Sequence, residues 1–144
     1  NTAVGSYKIG AVAEAGGQRY GQSMQTIAYP HIQTHRIFKK ADVTAHVLDL
    51  EVASVKIGYI MGSGDKVPEA IRRLGLDVTI LGEKDLSTGD LSAYDIIVVG
   101  IRASQVRPDF VANNGRLLDF ARNGGTLVVQ YQQQEYIQNN MQPF

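Results

Sequence analysis

Two short β-branched runs, Ile96–Val99 and Thr126–Val129, bracket a helix-length segment from Pro108 to Asn123. This spacing constrains the chain more than any other feature. Each run is too short for a buried helix, and an unbroken apolar run of this length fits a strand covered on both faces. Two such strands joined by a helical crossover belong to a parallel sheet. The alternation begins earlier. Lys56–Met61 reads as a strand, and Val67–Leu74 reads as a helix with Pro68 in its first turn, Asp65 or its neighbour as cap and Gly75 as its left-handed stop. Ala70, Ile71 and Leu74 are expected on its inner face. Asp77–Leu81 is the second strand, Glu83–Ser92 a short helical or turn-rich crossover, and Asp95–Gly100 the third strand. The glutamine-rich tail, Gln130–Phe144, reads as a loop leaving the fourth strand. Residues 53–144 are therefore expected to form an α/β, flavodoxin-like parallel sheet in the order 2-1-3-4.

Residues 1–52 have a different period. Tyr7, Ile9, Ala11 and Ala13 alternate with Lys8, Gly10 and Val12, and Ala15-Gly16-Gly17-Gln18 is a turn signal. Gln22–Tyr29 then reads as the returning strand of a hairpin, with extended segments at His31–Phe38 and Val43–Leu50. Short strands joined by Gly and Pro turns suggest a small all-β segment, the last strands of a β-sandwich that begins upstream. Such a segment has open edges, and these are expected to lead to homo-oligomers. The start at Asn1 and the end at Phe144 read as those of a piece of a longer protein.

Charge and composition narrow the function classes. Fourteen basic residues balance fourteen acidic ones, and the tyrosines do not interleave with basic runs, so no nucleic-acid partner is expected. No apolar stretch approaches membrane-spanning length, and no membrane partner is expected. Without cysteine there is no thiolate metal site or cysteine nucleophile. The compartment stays open between the cytosol and an extracytoplasmic space. His31 and His35, if extended, lie about 13 Å apart at ~3.3 Å per residue, too far to share a metal. No metal site and no cofactor is expected.

Ligands of open parallel sheets bind beyond the carboxyl ends of the strands. There the chain presents Gly62-Ser63-Gly64-Asp65, Gly100-Ile101-Arg102 and Gln130-Tyr131-Gln132. The candidate ligand-binding residues are Gly64, Asp65, Arg102, Tyr131 and Glu135. Gly62-Ser63-Gly64 starts like a dinucleotide fingerprint, but Val67 stands where its third glycine belongs, so a plain strand-to-helix turn is the preferred reading. Arg102 would suit a carboxylate or phosphate, or would tie the strand ends together; the second role is preferred.

The segments VKIGYIMGSGDKVPEAIRRLGLDVTIL and YDIIVVGIRASQVRPDFVANNGRLLDFARNGGTLVVQY, with AYPHI at Ala28–Ile32, carry a family resemblance. The chain resembles the C-terminal extension of large bacterial LmbE-like (PIG-L) N-acetylglucosaminyl deacetylase proteins. That resemblance implies a sandwich segment followed by a class I glutamine-amidotransferase-like domain. It also implies an upstream zinc-dependent deacetylase domain as partner. The deacetylase's His-Pro-Asp-Asp motif does not occur here. Amidotransferase-like relatives carry a catalytic cysteine after the strand resembling Thr126–Gln130, and here that place falls at or near Tyr131. A phenol of ordinary pKa about 10 is a poor nucleophile. The expected function is a non-catalytic accessory region, with no catalytic residue of its own. The alternative is a binding module for a sugar or other small polar metabolite at the strand-end crevice.

Overall fold

The computed structural model describes residues 2–143. The chain divides into two compact units, Asn1–Glu51 and Val52–Phe144.

The first unit contains β1 (Gly5–Gly10), β2 (Ala13–Ala15), β3 (Gln18–Tyr20), β4 (Gln22–Ile27), β5 (His35–Lys40) and β6 (Asp42–Val47). They pair as three antiparallel ribbons, β1 with β6, β2 with β3, and β4 with β5. The turn expected at Gly16-Gly17 is present. Both glycines have positive φ, +57° and +76°, as a two-residue hairpin turn needs. The hairpin around it, however, ends at Ala13↔Tyr20. The expected pairing of the Tyr7 strand with the Gln22 strand does not form. Instead the three ribbons meet at one junction, where Ala11 N–H donates to Ala41 C=O (2.8 Å) and Ala41 N–H donates to Gly21 C=O (2.8 Å). β1 and β4 pair with the consecutive strands β6 and β5, while β2 pairs with β3 as a local hairpin. The extended segment expected from His31 starts only at His35, because Pro30 and His31 lie in a turn closed by Ile32 N–H donating to Tyr29 C=O. No side chain among the described residues 2–51 is buried.

The second unit holds a four-stranded parallel sheet. Its strands are β7 (Ile57–Ile60), β8 (Val78–Ile80), β9 (Ile96–Val99) and β10 (Thr126–Val129), in the spatial order β8-β7-β9-β10. Its helices are α1 (Val67–Arg73), α2 (Glu83–Thr88), α3 (Ala103–Val106), α4 (Pro108–Arg122) and α5 (Gln134–Gln138). Side chains alternate between the two faces, as a strand requires. Ile60, Ile97 and Val99 pack with Leu86, Phe110, Leu117 and Phe120 from α2 and α4. Ile57, Tyr59 and Val98 pack on the other face with Val67 and Ile71 from α1. Of the expected inner face of α1 only Ile71 turns inward; Ala70 and Leu74 are exposed, and Pro68 is buried instead.

The tail is not the expected loop. It folds into α5, and Met141 is almost fully buried in the core beside α4. The buried Asn114 amide donates to Met141 C=O (2.8 Å), which satisfies a polar side chain inside the apolar cluster. Among the described residues no helix is long and apolar enough to cross a membrane.

Candidate functional site

The carboxyl ends of β7, β9 and β10 are tied together by polar side chains. Gly62 and Gly100 let the first two strand ends touch through their backbones. Gly100 N–H donates to Ile60 C=O, and Ser63 N–H donates to Ile101 C=O, both at 2.8 Å. Asp65 lies in the turn before α1. Its Oδ1 accepts from the Tyr59 hydroxyl (2.7 Å) and, at 3.3 Å, from Val67 N–H at the start of the helix. The Gln130 amide donates in turn to the Tyr59 oxygen (3.1 Å). This chain of bonds joins β10 to the loop after β7. Burial, and then the adjoining Asp65 carboxylate, push the Tyr59 phenol well above its ordinary range. It is held as a neutral donor.

Beyond β9 the chain turns sharply. Arg102 has φ +52° and ψ +30°, a left-handed backbone that costs a non-glycine residue about 1–2 kcal/mol. The turn is held by Arg102 N–H donating to Tyr131 C=O (2.9 Å). Gln132 then staples the two loops: its amide nitrogen donates to Gly100 C=O (2.9 Å) and Gln130 C=O (3.1 Å), and its oxygen accepts from Ser104 N–H (3.0 Å). Gln105 on α3 donates to Gln133 and to Glu135 (3.2 Å) on the loop and helix after β10.

Four of the five candidate residues are placed on the three loops at the carboxyl ends of the strands and Glu135 on α5 beside them, with unequal roles. Asp65 and Glu135 are partly buried and bonded into the structure. Arg102 is exposed and shapes the turn through its backbone. Tyr131 is 62% exposed. Gly64 is an exposed turn residue with φ +72°. Tyr59, Gln130, Gln132 and Ser104 were not singled out from the sequence. Tyr59 sits inside an apolar strand run, and the three others gain a role only when the loops meet. The one local signal was Gly-Ile-Arg-Ala directly after a strand, a strand-to-helix turn with no polar cap residue.

Three buried acceptors at this edge take no hydrogen bond from the described residues: Asp65 Oδ2, Ser104 Oγ and Glu135 Oε2. Ser104 is 9% exposed. Buried polar atoms are normally satisfied by protein or ordered water, so these three call for a partner that the described residues do not supply. Two hollows of the α/β unit lie away from these groups. One, about 660 Å³, is at the amino ends of β9 and β10, beside Asp95, Phe120 and Thr126. The other, about 670 Å³, adjoins Leu81, Arg107 and Asp109 at the end of β8. Among the described residues no group of three or more His, Cys, Asp or Glu side chains is arranged to hold a metal. No family model matches the chain, no curated protein matches it, and no solved structure matches it.

Proposed function

We propose that this chain is a non-catalytic accessory region of a PIG-L-type deacetylase, with a flavodoxin-like, amidotransferase-like scaffold preceded by the end of a β-sandwich. The observation that carries this reading is the use of the strand-end polar groups. Gln130, Gln132 and Tyr59, together with Asp65 through its Oδ1, spend their hydrogen bonds on one another and on backbone. Covalent catalysis of the amidotransferase kind at this edge would need a nucleophile with a base beside it. The strained turn after β9 carries Arg102, and the place after β10 carries Tyr131; neither is a thiol. In this reading the α/β unit supplies surface and orientation to the upstream catalytic domain of the same protein. The purified chain should then show no glutaminase, amidase or N-acetylglucosamine deacetylase turnover above buffer. Reproducible turnover abolished by Tyr131→Phe or Arg102→Ala would sink the reading.

The orphaned acceptors Asp65 Oδ2, Ser104 Oγ and Glu135 Oε2 favour a second reading, a binding module for a small polar metabolite or sugar. Such a ligand brings hydroxyl donors to acceptors that lack them. A panel of monosaccharides and amino sugars is expected to include one that raises the melting temperature of the wild-type chain but not of Ser104→Ala. If no member of the panel shifts the melt at millimolar concentration, this second reading fails and the accessory reading stands alone.

A further inference from the structure

We propose that β6 is the edge through which two copies of this chain associate, antiparallel, across a two-fold axis at Ala45. The argument begins with the β1–β6 ribbon. Its register places Tyr7 opposite Ala45, Ile9 opposite Val43 and Gly5 opposite Val47. Directly opposite residues share a face, so Tyr7, Ile9, Val43, Ala45 and Val47 form one apolar side. Ser6, Lys8, Asp42, Thr44 and His46 form the other. Strict alternation of this kind is the pattern of a sheet with one face covered. Yet Ile9 is 57% and Val43 62% exposed. A lone two-stranded ribbon is marginal in water, and three or more strands are needed to hold an apolar face. The ribbon needs additional strands.

The edges of the unit differ in how well they would accept one. Lysine on an edge strand is the usual guard against pairing. β5 carries Arg36, Lys39 and Lys40, and β1 carries Lys8 at its centre. β4 is uncharged, but Met24 and Ile27 alternate with serine and glutamine on both of its faces, so no side would be buried by extending it. β2 and β3 have three residues each. β6 has no lysine, one clean apolar face, and an outer edge to which no strand among the described residues is paired.

The proposed register keeps the apolar face common to both copies and puts the small Ala45 side chain on the axis. Centred on Ala45, antiparallel pairing sets Val43 opposite Val47 of the second copy and Thr44 opposite His46, with Ala45 facing itself. The product is a four-stranded sheet, β1-β6-β6-β1, with all its apolar side chains on one face and Lys8 guarding both new outer edges. Charge selects the direction. Lys39 and Lys40 precede β6, and Asp49 and Glu51 follow it. An antiparallel pair lays the basic flank of each copy beside the acidic flank of the other, twice. A parallel pair would set like charges together, which is destabilising across strands.

Sedimentation equilibrium of the full chain is expected to give a concentration-dependent dimer that weakens as salt screens the flanks. Lys39→Glu with Lys40→Glu should shift it to monomer, and adding Asp49→Lys with Glu51→Lys should restore it. Because the chain has no cysteine, a single thiol reports cleanly. Ala45→Cys faces itself at strand-pair distance and should give a disulfide-linked dimer under mild oxidation, well ahead of Gln18→Cys on β3. A monomer at every concentration overturns the proposal. So does a dimer in which Ala45→Cys links no faster than Gln18→Cys, or in which the double charge reversal fails to restore association.

Discussion

A single methyl group at Gly62 is expected to lower the stability of the α/β unit by about 3 kcal/mol, the upper end of the usual cost of overpacking. A Cβ built on Gly62 presses into the carbonyl oxygen of Ile101, and it lies 2.7 Å from both the carbonyl carbon of Gly100 and the nitrogen of Ile101. All of these are backbone atoms, so no side chain can swing aside. Separating the strands would also stretch the Ser63 N–H to Ile101 C=O bond that closes the contact. Against the roughly 5–15 kcal/mol that holds an ordinary domain, such a loss is large. Gly115→Ala is the internal control. It sits in α4 with nothing within 4 Å of its added methyl, and it should instead gain about 0.5–1 kcal/mol from reduced backbone freedom. Urea titration of both variants would measure the difference, with midpoints moving in opposite directions at unchanged slope. Should Gly62→Ala unfold with the wild-type midpoint, the close approach of the β7 and β9 ends described above is wrong.

That contact also marks the boundary between what could and could not be read from the sequence. Ile57–Ile60 and Ile96–Val99 announce themselves because a parallel strand covered on both faces leaves little place for a polar residue, whereas Thr126–Val129, expected to be covered likewise, is the outer strand of the sheet and keeps Thr126 and Val128 exposed. Pro68, Gly75 and Asn123-Gly124-Gly125 mark helix ends because their backbone preferences act locally. The ribbons were harder. Gly16-Gly17 dictates a turn, but nothing local states that Ala41 bonds to both Ala11 and Gly21. Pairing partners are chosen there by contacts distant in sequence. The tail misled for a related reason. Five glutamines between Gln130 and Gln138 look like solvent-facing loop, yet Met141 finds the core and Asn114 reaches its carbonyl. At the site, Asp65 and Glu135 were legible as polar groups on strand-end loops. Tyr59 was hidden because its ring belongs to the apolar face of α1, while only its hydroxyl belongs to the site. The left-handed turn at Arg102 was not legible, since an arginine carries no preference for that conformation and only the meeting of the β9 and β10 loops imposes it.

Asp109→Ala is expected to cost about 3 kcal/mol at neutral pH, because it leaves a charged partner largely buried and unpaired. Arg107 grips Asp109 with two bonds, Nε to Oδ1 at 2.8 Å and Nη2 to Oδ2 at 2.6 Å, and the same Nη2 reaches Leu81 C=O at 3.1 Å. The two side chains are 19% and 12% exposed. Asp109 also lies in the first turn of α4, where a carboxylate meets the positive end of the helix. The pair between Arg122 and Asp119 on the same helix offers the contrast. Its side chains are 63% and 66% exposed, and Asp119→Ala should cost no more than about 0.5 kcal/mol. Acid gives an independent reading of the inner pair. The Arg107 guanidinium holds the Asp109 carboxyl below its ordinary range, so the folded state binds this proton less readily than the unfolded chain, whose value is about 3.9. The stabilisation is complete above that unfolded value and disappears as pH falls through the lower, folded one. Wild type should therefore lose stability on acidification more steeply than Asp109→Ala, and the two curves should converge at low pH. Equal acid slopes, or an Asp109→Ala cost as small as that of Asp119→Ala, would mean that the pair does not hold the start of α4 to the end of β8.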